Sequence, residues 1–126
     1  TDWHNLSHHG KDENKIDELE IIEREEFSLF AKFLGDLKSH RENGSSLLTN
    51  TAVLFGSNLG NASSHDWRNL PIILAGGGYR HGSYVAHDPE DNTPLSNLFV
   101  PLAQRMGVSI DQFGKSTTSS IRGLET

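Results

Sequence analysis

The sequence predicts a mixed α/β fold: a partial mixed sheet with one long helix near the amino end and one shorter helix near the carboxy end. Three observations carry this expectation. Residues 11–40 repeat apolar side chains at helical spacing, residues 51–55 and 70–75 are short apolar runs closed by Gly-containing loops, and a second helical repeat follows Thr93-Pro94.

In the first helix Ile16, Leu19, Ile22, Phe30, Phe33 and Leu37 step by threes and fours, with charged residues filling the remainder. Asp12 suits the N-cap, Lys38, His40 and Arg41 suit the negative end of the helix dipole, and Asn43-Gly44 stops it. Gly35 weakens it by about 1 kcal/mol. The acidic run 18–26 reads as a solvated helix face, with a ligand cluster as the sharper alternative.

Thr51-Ala52-Val53-Leu54-Phe55, ending in Gly56-Ser57-Asn58, reads as a buried strand entering a loop. Residues 70–75 read as a second strand closed by Gly76-Gly77-Gly78, and Ser83-Tyr84-Val85-Ala86 as a weaker third. The glycine triplet reads as a tight turn, because no Lys-Ser/Thr helix start follows to make it a phosphate cradle. Pro94 opens the second helix, with Leu95, Leu98, Phe99, Leu102 and Met106 on one face and Gly107 as its stop. A single domain over 1–110 and a polar, loosely ordered tail over 111–126 are expected. Two helices are few for covering both faces of a sheet. Chemistry-bearing residues also stand within four positions of Thr1, so an upstream part of a longer protein is expected to be missing.

A chain of 126 residues, 34% hydrophobic, holds one core. No apolar run approaches the roughly 20 residues of a membrane span, so no membrane insertion is expected. Eleven basic against 17 acidic residues give a net charge of −6, which leaves no electrostatic footprint for nucleic acid or anionic lipid. The absence of cysteine excludes disulfides, thiolate zinc sites and cysteine nucleophiles.

Chemistry rests on the histidines. Three of the seven fall in His4-Asn5-Leu6-Ser7-His8-His9. On a helical turn His4 and His8 project from one face, and two imidazoles so placed can reach one zinc-like ion at about 2.0–2.1 Å. Neutral imidazole suits zinc, copper, iron and nickel better than calcium or magnesium. An exposed polar terminal segment, or a remnant of an affinity tag, would read the same way. Ser57, Asn58 and His65 occupy the loop after the first strand, where ligands gather in α/β sheets; a turn asparagine and a surface histidine are the plainer readings.

The His4-to-His9 segment matches the HXXSHH signature. With "TAVLFGSNLGN", "HDWRNLPIILAGGG", "TPLSNLFVPLAQRMGV" and the terminal "FGKST", the chain resembles the carboxy-terminal third of the HXXSHH family of uncharacterised bacterial proteins, abundant in planctomycetes and marine bacteria. That family is in turn distantly similar to the alkaline-phosphatase-like superfamily of phosphatases, sulfatases and cofactor-independent phosphoglycerate mutases. The resemblance implies the carboxy-terminal part of such a fold and a periplasmic or exported parent protein. It also implies a divalent metal, zinc favoured, on His4, His8 and His65. Ser57, Asn58 and His9 are left as second-site or substrate contacts. Leu59 stands where the superfamily's pattern has a metal-binding His, and Asn58 where it has an Asp, so the second metal site is in doubt. No residue fills the superfamily's nucleophile position, so no catalytic residue is assigned and the chain is expected to be inactive by itself. The contrasting expectation is a non-catalytic structural or interaction domain of a cell-envelope protein. Exposed strand edges and an open helix stripe would favour a homodimer.

Overall fold

The computed structural model describes residues 2–124. Thr1, Glu125 and Thr126, the ends of the expected domain and tail, lie outside the described residues. The elements in order are α1 (Trp3–Ser7), α2 (Glu13–Ser39), β1 (Arg41–Glu42), β2 (Ser45–Ser46), α3 (Leu47–Asn50), β3 (Ala52–Gly56), β4 (Ile72–Gly76) and α4 (Ser96–Arg105). The mixed α/β class holds, with the long helix near the amino end and the shorter one near the carboxy end.

Asp12 caps α2 as its short carboxylate should, accepting from the Asn14 and Lys15 N–H groups. Asn43 and Gly44, both at positive φ, close the small β1–β2 hairpin after the helix. β3 and β4 pair antiparallel with Leu54 opposite Leu74 and Phe55 opposite Ile73. Phe55 stacks on Phe30 of α2 at 4.6 Å between ring centroids and meets Phe27 edge-on at 5.5 Å. These aromatic contacts fasten the sheet to the long helix.

Two sequence expectations are corrected. Residues 83–86 form no strand: the segment extends along the surface, with Tyr84 almost wholly exposed. A single β-branched residue and one Tyr between Gly82 and His87 offer too little apolar surface to add to the sheet. In addition, α4 starts at Ser96, because Pro94 and Leu95 instead form a tight turn whose carbonyls accept from Asn97 and Leu98.

The core is small. Leu6 of α1 and Leu98 and Val100 of α4 are its buried apolar side chains among the described residues. Residues 111–124 carry no helix or strand, yet they pack on α4. Phe113 meets Phe99 edge-on at 5.6 Å, and the Thr117 N–H donates to Asn97 Oδ1 at 2.8 Å.

Candidate functional site

The short helix α1 exists because Asp2 caps it, its Oδ1 accepting from the Asn5 N–H at 2.9 Å. That bond holds the Asp2 carboxyl below the usual carboxylate range. Leu6, 2% exposed, anchors the helix, and the Ser7 hydroxyl donates to the His4 carbonyl. Gly10 and Lys11, both at positive φ, turn the chain back into α2, and Lys15 Nζ then donates to Asn5 Oδ1 at 2.8 Å. α1 is thereby pinned along the first turns of α2, with His4 and His8 on one side of it.

The partner loop follows β3. The Gly60 N–H donates to the Asp66 carbonyl at 2.8 Å, and Asn61 bridges Asp66 antiparallel. Arg68 clasps the Asp66 carboxylate through Nε and Nη2 at 3.1 Å each, holding its pKa down. Inside this small ring His65 sits at φ +53°, a left-handed conformation that costs a non-glycine residue about 1 kcal/mol or more. The Gly10 N–H donates to Ser63 Oγ at 3.3 Å, tying the loop to the α1–α2 turn.

These tethers bring the imidazoles together. His8 Nε2 and His65 Nε2, 57 positions apart in sequence, face each other at 3.2 Å. The His8 ring lies 4.9 Å from that of His65 and 4.7 Å from that of His4, both edge-on. Either one neutral ring donates to the other, with the tautomer deciding which, or both present lone pairs to a common point. Two nitrogens bonded tetrahedrally at 2.0–2.1 Å would stand about 3.3 Å apart, so the His8–His65 spacing fits one edge of such a centre. A third donor is not in place: among the described residues no group of three or more His, Asp or Glu side chains is arranged to hold an ion. His4 touches the His8 ring without completing the set.

His8 is held below the ordinary histidine pKa, first by partial removal from water and then by the positive charges of His4, His65 and Lys15. Of the other sequence candidates, His9 turns away, its Nδ1 accepting from the Lys11 N–H at 3.0 Å. Ser57 Oγ closes its own loop by accepting from the Leu59 N–H at 3.1 Å. Asn58 is exposed, and among the described residues no hydrogen bond joins it to the histidines. Ser63, Asn5 and Lys15, which set the cluster's geometry, carry no sequence signal of that role. Two shallow clefts of about 400 and 340 Å³ lie around the end of α4, and neither is lined by a histidine. No protein-family model, no curated protein and no solved structure matches this chain.

Proposed function

We propose that the chain is the carboxy-terminal part of an alkaline-phosphatase-like, metal-dependent hydrolase of the cell envelope, inactive by itself, in which His4, His8 and His65 supply metal ligands. One observation carries the reading: His8 and His65, far apart in sequence, meet nitrogen to nitrogen at the spacing of a tetrahedral edge. The sequence resemblance to the HXXSHH family supports it independently of that distance. A bound divalent ion would supply Lewis-acid polarisation of a substrate oxygen. The chain's own contribution is to hold the two imidazoles facing, with partial removal from water and then the positive neighbours lowering the pKa of His8 and so favouring its metal-binding neutral form.

Titration calorimetry with zinc chloride on tag-free protein tests this. One zinc per chain, with affinity reduced at least about tenfold by His8→Ala or His65→Ala, is expected. No saturable binding, or binding indifferent to both substitutions, overturns it.

A second reading, a non-catalytic structural or interaction domain, is favoured by Leu59, which cannot bind a metal, in the loop after β3. On that reading Ala at position 4, 8 or 65 changes only stability, by less than about 1 kcal/mol.

A further inference from the structure

Gly76, Gly77 and Gly78 all stand at positive φ, but their surroundings differ. A Cβ on Gly76 would strike the carbonyls of Leu48 and Thr51, and one on Gly77 would lie 2.9 Å from the Ala52 Cβ, so close packing requires glycine at both. For a Cβ on Gly78 the three nearest atoms all belong to the Arg105 guanidinium, at 3.5, 3.6 and 3.7 Å. Gly78 and Arg105 both line the cleft of about 340 Å³ between this turn and the end of α4. The third glycine thus leaves open the space beside a cation.

That cation is held in place. Arg105 lies in the last turn of α4, where the negative end of the helix dipole favours it. Its guanidinium sits over the Tyr79 ring, 4.5 Å from the centroid, and Nη2 donates to the Gly78 carbonyl at 3.0 Å. Tyr79 is fixed in turn by its hydroxyl, which donates to the Pro101 carbonyl at 3.1 Å. Among the described residues the ion pairs join Arg24 to Glu20, Lys32 to Asp36 and Arg68 to Asp66, so Arg105 has no carboxylate partner. No Asp or Glu lines the cleft. In a chain of net charge −6, a preorganised guanidinium in an otherwise uncharged cleft is a place for an anion.

The walls narrow the class. Leu102 and Met106 line the cleft from the α4 side and Ala52 from β3, which gives an anion's apolar part a surface to cover. A single cation matches a singly charged carboxylate better than a dianionic phosphate. The volume stands at the lower end of small-molecule sites. We propose that this cleft binds a small carboxylate with a compact apolar body, its charge paired with the Arg105 guanidinium beside Gly78 and its body against Leu102 and Met106. The site is separate from the histidine cluster, since no histidine lines it.

Titration of the isotope-labelled full chain with sodium benzoate, followed by NMR, tests the proposal. Saturable shifts of the Gly78, Tyr79 and Arg105 signals are expected. Benzamide, which lacks the charge, and inorganic phosphate, which lacks the apolar body, should each bind at least about tenfold more weakly. Arg105→Gln should abolish the benzoate response. Because Arg105 also braces Tyr79, Met106→Ala supplies a second arm: it trims a side chain that is 83% exposed and should weaken benzoate about threefold. Lys115→Gln, which removes the same charge elsewhere, should leave binding unchanged. Four results overturn the proposal: no saturable shift, an equal response to benzamide or phosphate, benzoate affinity unchanged in Arg105→Gln or in Met106→Ala, or equal weakening by Arg105→Gln and Lys115→Gln.

Discussion

At α4 and at the histidine corner, polar side chains reach partners distant in sequence, but under opposite conditions. Asn97 is 3% exposed and uses both ends of its amide: Nδ2 donates to Thr117 Oγ1 at 3.1 Å, and Oδ1 accepts from the Thr117 N–H at 2.8 Å. His65 is exposed, His8 is half-buried, and both lie beside further positive groups. Among the described residues no carboxylate pairs with His4, His8 or His65. The amide at α4 removes an energetic debt that folding would otherwise leave, because a buried amide without partners costs about 1–3 kcal/mol. The imidazole contact gives the fold little, and it is reached through a left-handed His65 that itself costs energy.

The largest expected effect tests the structural side of this contrast. Asn97→Ala removes the buried amide that holds Thr117 and Thr118 to α4 through three hydrogen bonds, and should lower unfolding free energy by about 2 kcal/mol. Urea denaturation measures it. In metal-free protein His65→Ala should cost less than about 1 kcal/mol, since Ala keeps the Cβ and with it the left-handed strain, and loses only the exposed imidazole contact. Equal losses for the two substitutions would erase the distinction between the regions.

A smaller effect is expected where the backbone sets the site. A Cβ on Gly60 would collide with the carbonyl of Arg68 and crowd that of Asn69, and backbone on both sides leaves no flexible end to yield. Gly60→Ala therefore forces the 60–68 loop outward. It should cost about 1 kcal/mol while separating His65 from His8, read as loss of the nuclear Overhauser contacts between the two rings. Intact ring contacts in that variant would show that the loop does not hold His65 in place.

Much of this architecture was legible in residue order. Asp12 and the three- and four-residue steps through Leu37 mark α2, since caps and periodicity are local properties, whereas Asn43-Gly44, expected to stop the helix, instead turn the β1–β2 hairpin after it ends at Ser39. The runs around Leu54 and Leu74 give the strands, and His4 and His8 share a helical face by spacing alone. Residues 83–86 misled because alternation without apolar mass does not pair. The tail's attachment was hidden, because a Ser/Thr-rich segment looks solvated until a buried amide such as Asn97 is found to need its N–H groups. The His8–His65 meeting was not legible from local pattern either, since it depends on Gly60, Ser63 and Lys11, each setting a backbone direction.

The smallest effect concerns protons and separates the regions most finely, because α4 has no titrating group in its buried contact while the other corner depends on one. His8 is held below its ordinary value of 6.5 by partial removal from water and by His4, His65 and Lys15. A histidine whose folded pKa lies below its unfolded one binds fewer protons when folded, so stability is fully present above about pH 6.5 and falls as pH drops toward the lowered value. Histidine-resolved NMR titration should show His8 ionising below 6.5. In His65→Ala, with one positive neighbour gone, its midpoint should rise toward the ordinary value. Asn97→Ala should leave that midpoint where it was. A His8 midpoint unmoved by the loss of His65 would mean that the two rings do not share a field in solution, and would remove the electrostatic basis for treating them as one site.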